Sequence, residues 1–192
     1  MPATVRAAVE SAHGAGVVGE QVQAGGFSPG LASLLRLADG SRVFVKAVSA
    51  GRDRRAPELY RREIRVMAAL PEVAPAPRLR WSYDDGDWVV LVLDDIEGRM
   101  PTQPWDEREL ERILTAVEEL ADVLTPAPVA AMPIADDLAE NFRSWRAIAG
   151  EPALAERLDD SVQTRLSRLV ELEAGWADAA TGKTLVHADL FF

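Results

Sequence analysis

The 192-residue chain has no cysteine and only two histidines, His13 and His187. That excludes disulfides, a thiolate nucleophile and any Cys-based zinc site, and leaves too few imidazoles for a His-rich metal centre. Long apolar runs are missing as well. The longest strongly apolar stretch, Trp88 to Leu93, falls far short of the roughly 20 residues that a membrane helix needs. The opening MPATVRAAVESAHGAG holds no continuous apolar segment of the kind found in a secretory leader. Internal repeats and low-complexity tracts are absent. The expectation is a soluble cytoplasmic protein with no membrane partner.

What the chain does have is an ordinary globular composition, 48% hydrophobic, enough for one domain or two small lobes sharing a cleft. The net charge is −10, which argues against a nucleic-acid partner. Its distribution is uneven. Residues 36 to 80 carry eleven Lys/Arg against five Asp/Glu, a net of +6, whereas residues 84 to 192 carry nine against twenty-four, a net of −15. The first half suits an anion and the second a cation, unless both are simply solvated faces.

Periodicity and chain breakers give the organisation. Val17 to Ala24, Leu31 to Ala38 and Arg42 to Val48 read as three strands, with Asp39-Gly40 as a hairpin turn between the last two. Pro57 then opens a helix on which Leu59, Ile64, Met67, Ala68 and Leu70 fit one stripe, and Pro71 closes it. Two further strands follow, Arg78 to Tyr83 and Trp88 to Leu93, joined by Asp-Asp-Gly-Asp. Beyond Gly98 the pattern turns helical. Leu110, Ile113, Leu114, Val117, Leu120, Ala121 and Leu124 mark one helix, residues 135–149 a second, and the apolar positions from Leu154 to Val170 a third, read mostly as core stripes. A lobe boundary is expected between Gly98 and Pro104.

Three stretches carry chemistry. AGGFSPG, Ala24 to Gly30, joins the first two strands, and its glycines let backbone N–H groups approach an anion closely, although a glycine-rich hairpin also serves simply as a turn. Lys46 sits in an otherwise apolar strand, where a buried ammonium requires a partner. Glu63 or Glu58 on the following helix can supply it, and the alternative is a lysine that faces solvent. WVVLVLDD, Trp88 to Asp95, is a core strand running into acidic residues. At its exit, backbone groups freed from the ladder can hydrogen-bond a flat heterocycle.

The order of these features, glycine-rich hairpin, Lys46, Glu63, LVLDDIEG and a late LVHADL, resembles the aminoglycoside phosphotransferase family, relatives of the protein kinases, along most of the chain. The resemblance implies an α+β, protein-kinase-like fold. Residues 1–98 would form an N-terminal nucleotide-binding lobe, a five-stranded antiparallel sheet with one helix, and residues 99–192 a partial, mostly helical C-terminal lobe. The family's catalytic loop, His-x-Asp-x-x-x-x-Asn, is matched at its start by His187-Ala188-Asp189. This implies Asp189 as the catalytic carboxylate, orienting or accepting the proton of an attacking hydroxyl, with His187 bracing the loop. Nucleotide binding would fall to Gly25, Gly26, Phe27 and Ser28 in the hairpin and to the pair Lys46 and Glu63. Leu93, Asp94, Asp95 and Ile96 would form the hinge-like strand exit.

The implied cofactors are ATP or GTP and Mg²⁺, and the implied partner is a small-molecule hydroxyl substrate of aminoglycoside type, a cationic one included. The Asn of the loop would lie two residues beyond Phe192, and the family's metal-binding Asp further on. No metal ligand is therefore expected in these residues, and the chain reads as a fragment with little or no activity alone. A non-catalytic nucleotide-binding or interaction module of the same fold is the alternative.

Overall fold

The computed structural model describes residues 1–23, 30–52, 55–99, 101, 102, 104 and 106–187. Contacts group these into two units, one of residues 1–124 with Val186 and His187, the other of Thr125–Leu185.

The first unit is built on a five-stranded antiparallel sheet of β1 (Val17–Val22), β2 (Leu31–Leu37), β3 (Arg42–Ser49), β4 (Leu79–Asp84) and β5 (Trp88–Asp94), in the spatial order β1-β2-β3-β5-β4. Gly40 and Gly86, with φ of 87° and 90°, supply the left-handed positions of the tight turns before β3 and β5. The Asp39 carboxylate braces the first of these turns by accepting from the N–H and hydroxyl of Ser41.

Side-chain alternation divides the sheet into two faces. Val43, Val45 and Ala47 of β3 join Leu35, Leu37, Val90 and Val92 in one buried cluster, covered by Val5 and Val9 of helix α1 (Ala3–His13). The opposite face holds Val48, Val89 and Leu91 under Ala56 and Tyr60 of helix α2 (Ala56–Ala69). Helix α1 is an addition to the sequence expectation, which took this segment only for what it was not. Its signal is slight, Val5 and Val9 one turn apart and Gly14 closing the helix at φ 64°. On α2, Leu59 and Ala68 of the expected stripe are exposed, and Tyr60 takes the inward position instead.

Helix α3 (Glu107–Val123) starts on Asp106, whose carboxylate accepts the Glu109 N–H at 2.8 Å. Its expected core stripe is not buried within the described residues. Leu110, Leu114 and Val117 are exposed, and only Leu124, just past the helix, is fully enclosed. Among the described residues no helix is long and apolar enough to cross a membrane.

The second unit consists of short helices, α4 (Ile134–Asp137), α5 (Ser144–Ala149), α6 (Pro152–Ala155), α7 (Asp160–Gln163), α8 (Leu166–Ala174) and α9 (Trp176–Ala179). The continuous helix expected over residues 135–149 is broken at Phe142, whose ψ of 48° is not helical and whose ring stacks on Trp176 at 4.3 Å. The N–H groups of Trp145 and Arg146, at the new helix start, are satisfied by the buried Glu173 carboxylate of α8, each at 2.9 Å. The helix expected from Leu154 to Val170 is likewise three pieces. Asp159 is extended, the Gln163 side chain donates to the Leu158 carbonyl, and the Thr164 hydroxyl donates to the Asp160 carbonyl beside the bond from its own N–H.

Candidate functional site

Lys46 lies on the central strand β3, paired with Ala32 of β2 and Leu91 of β5. Its neighbours Val45 and Ala47 point toward α1, so Lys46 emerges on the α2 face among Val48 and Leu91. Glu63 stands seven residues after Ala56 and three after Tyr60, on the stripe of α2 that meets this face. The Lys46 ammonium contacts both carboxylate oxygens, Oε1 at 2.7 Å and Oε2 at 2.6 Å. Glu58, the other candidate partner, is instead exposed and paired with Arg61 and Arg65.

This ion pair is neither sealed nor fully solvated. The side chain of Lys46 is 27% exposed and that of Glu63 31%. An ammonium has three N–H donors, so two bonds to Glu63 leave one for an anion. Helix α2 is itself held in place by the Arg61 guanidinium, which grips Asp84 at the end of β4 with Nε to Oδ2 at 2.7 Å and Nη2 to Oδ1 at 3.1 Å. The Arg61 hydrogen bonds, with a further one from the Gly86 N–H, hold the Asp84 carboxyl below its ordinary range.

The strand exit is described from Leu93 to Arg99. Leu93 is buried between Phe44 and Leu79 in the ladder. Asp94 makes the last pairing, opposite Val43, and its carboxylate accepts from the Arg78 N–H at 3.1 Å and from the Arg80 guanidinium. The Asp95 carboxylate meets Arg42 at 2.6 Å. Both aspartate side chains are therefore committed to arginines of β3 and β4, while the backbone beyond Asp94 has left the ladder and Ile96 is 62% exposed. Groups free to meet a ligand at this exit are main-chain ones and the Ile96 side chain.

Gly25, Gly26, Phe27 and Ser28 lie outside the described residues, as does Asp189. Gly30, which ends the glycine-rich stretch, is described and lies against Tyr60. His187 is exposed. Among the described residues no three His, Asp or Glu side chains are grouped to hold a metal ion. A recess of about 420 Å³, lined by His13, Ser41, Arg42, Val43, Arg80, Trp81 and Asp94, opens on the α1 face of the sheet. It is the wrong face for Lys46, and its two arginines are already neutralised by Asp94, Asp95 and Glu97.

Tyr60, which touches both Gly30 and Lys46, is the residue that sequence reasoning passed over. Its spacing from Ala56, Glu63 and Ile64 was the available signal.

Compared with known proteins, residues 24–192 match the family described as phosphotransferase enzymes. No curated protein matches the chain in sequence. Among solved structures, a macrolide 2′-phosphotransferase type I is 20% identical, with a TM-score of 0.51 over 98% of this chain and 64% of that one. A thermostable mutant of an aminoglycoside phosphotransferase, solved as a ternary complex with ADP and hygromycin B, is 15% identical, with a TM-score of 0.46 over 91% of this chain and 60% of that one. The chain thus spans under two thirds of the length of either protein. At these identities the likeness to the macrolide enzyme is one of fold, an α+β sheet-and-helix architecture of kinase type.

Proposed function

The chain belongs to the phosphotransferase enzyme family, and from that premise we propose that it serves the transfer of the γ-phosphoryl group of ATP or GTP to a hydroxyl of a small molecule. The observation that carries this reading is the ion pair of Lys46 and Glu63 on the α2 face of the sheet. A strand ammonium fixed by a helix carboxylate, with one donor left over, suits the phosphate oxygens of a nucleotide. The peptide groups of Asp95 and Ile96 would meet the base edge, and Leu93 would help form the apolar surface beneath it. Gly25, Gly26, Phe27 and Ser28 would bring backbone N–H groups to the phosphates.

Asp189 would hold the acceptor hydroxyl and receive its proton as the acceptor oxygen bonds to the γ-phosphorus. The bond from that phosphorus to the β–γ bridging oxygen breaks, and the nucleoside diphosphate leaves. Magnesium would accompany the nucleotide and offset phosphate charge. The described residues offer no ligand set for it. In this reading residues 1–98 form the nucleotide lobe and residues 99–192 belong to the acceptor lobe, whose excess of acid suits a cationic acceptor. A cytoplasmic location, where nucleoside triphosphates are available, is part of the proposal.

The test is calorimetric titration of the chain with ATP and Mg²⁺, followed by a coupled assay of ADP release against a panel of aminoglycosides, macrolides and simple alcohols. Binding that weakens in Lys46→Ala, with release dependent on an acceptor, is the expected result. Binding without any transfer favours a non-catalytic nucleotide-binding module. No binding at all overturns the proposal.

A further inference from the structure

The glycine that ends the glycine-rich connection, the strand lysine and the helix glutamate share one neighbour. Tyr60 lies on α2 one turn before Glu63, so both side chains leave the same face of the helix. Its ring is almost fully buried, packed with Val48, Ala56, Val89 and Leu91. The Lys46 ammonium stands 5.3 Å from the ring centroid, within the range in which a cation is attracted to an aromatic face.

The far end of the ring meets Gly30. A Cβ added at Gly30 would stand 2.0 Å from the Tyr60 hydroxyl oxygen, 2.9 Å from Cζ and 2.9 Å from the Ala47 carbonyl oxygen. Gly30 is not among the positive-φ glycines, so it is the room that the position requires, not an unusual backbone. That room is filled by the tyrosine.

We infer that Tyr60 is a positioning residue for nucleotide binding: its ring, enclosed against Gly30, fixes the Lys46 ammonium alongside Glu63. The inference rests on the reading of Lys46 as a phosphate ligand. A lysine side chain turns about four bonds, and a carboxylate at its tip leaves the stem free to swing. An aromatic face beside the ammonium removes much of that freedom before the nucleotide arrives, so less ordering is needed on binding. Burial, with the nearby Glu63 charge, pushes the phenol above its ordinary value. The ring therefore acts as a neutral face, and no phenolate competes with Glu63 for the ammonium.

The experiment compares Tyr60→Phe, Tyr60→Leu and the longer, more flexible Tyr60→Met in the full chain, each in wild-type and Lys46→Ala backgrounds, by titration with ATP and Mg²⁺ and by melting temperature. Tyr60→Phe keeps the aromatic face and should hold nucleotide Kd within about twofold, whereas Tyr60→Leu and Tyr60→Met should raise it about three- to tenfold. In the Lys46→Ala background the same substitutions should add nothing, because the group being positioned is gone. Proton NMR gives an independent signature. The Lys46 Hε signals should show an upfield ring-current shift that persists in Tyr60→Phe and disappears in Tyr60→Met.

Equal losses in both backgrounds would mean a packing role only and overturn the inference. So would a Tyr60→Met Kd at the wild-type value while Lys46→Ala weakens binding, which leaves the nucleotide reading intact. A Kd unchanged in Lys46→Ala, or no nucleotide binding by the chain at all, overturns both. Should Tyr60→Leu fail to fold, Tyr60→Met and the ring-current comparison in Tyr60→Phe decide.

Discussion

Lys46 and Glu63 meet across the space between β3 and α2, one ammonium touching both oxygens of one carboxylate at 2.7 and 2.6 Å. The contact joins a residue of the central strand to a residue of the helix that packs on that face of the sheet, so the position of α2 sets where the positive charge stands.

Lys46→Ala should therefore weaken ATP binding by about tenfold or more, on the scale of a lost charge-assisted hydrogen bond of roughly 1.5–3 kcal/mol. Lys183→Ala removes an equal charge from an exposed loop position and should change Kd by less than about twofold. Isothermal titration of the two variants checks the difference, and equal effects would remove Lys46 from the site.

Gly30→Ala should destabilise the chain by about 1–3 kcal/mol, the usual range for overpacking, because the added carbon meets the Tyr60 hydroxyl and the Ala47 carbonyl. Gly98→Ala is the control, with no atom within 4 Å of the new carbon. Thermal denaturation should show a lower Tm for the first and an unchanged or slightly higher one for the second.

Glu173 gives a pH signature. Burial alone would raise its pKa, but the backbone N–H groups of Arg146 and Trp145 and the Arg146 guanidinium together hold it below the ordinary value. A carboxyl depressed in the folded state contributes stability that is fully present above its unfolded pKa, about 4.3, and is lost as pH falls through the lower folded value. Unfolding followed by fluorescence should show the α5–α8 region weakening below about pH 4. In Glu173→Gln that part of the acid dependence should flatten and Tm at neutral pH should fall, since an amide N–H₂ now faces backbone donors.

Asp189→Asn should lower kcat about a hundredfold to ten-thousandfold in a chain active on a hydroxyl acceptor, with nucleotide Kd nearly unchanged. In the proposed reaction the group acts on the acceptor, so the loss would belong to the chemical step. Steady-state kinetics beside nucleotide titration would check this, and near-wild-type turnover would remove LVHADL from the mechanism.

The sheet was legible because its signals are local. Alternation in RVFVKAV, Asp39-Gly40 and the Asp-rich turn before Trp88 each mark a strand or a turn without help from distant residues. Glu63 was legible through the family resemblance but not through the helical stripe, since Glu58 sits on the same helix and the rotation of α2 over Val48 and Leu91 decides which one faces Lys46. That rotation follows Tyr60, whose large ring outweighs the pull of Leu59. The apolar spacing of residues 135–149 and 154–170 gave no warning of their breaks. The break at Phe142 depends on contacts between distant positions, Phe142 with Trp176 and Glu173 with Trp145, which periodicity cannot carry. Asp94 and Asp95 showed acid at a strand exit but not the Arg80 and Arg42 that engage them.

The strand order β1-β2-β3-β5-β4 ranks the amides of the sheet by how much must open before they exchange with solvent. Among the described residues β3 is bonded on both sides, β1 only to β2 and β4 only to β5. Local opening of an outer strand breaks one ladder, whereas releasing the Lys46 amide requires parting the middle of the sheet. Deuterium uptake should therefore be fastest in Val17–Val22 and Leu79–Asp84 and slowest around Val45–Val48 and Val89–Val92. The backbone of Lys46 would thus sit in the slowest-exchanging segment of its unit, so brief openings at the sheet's margins would not displace the strand that carries the ammonium.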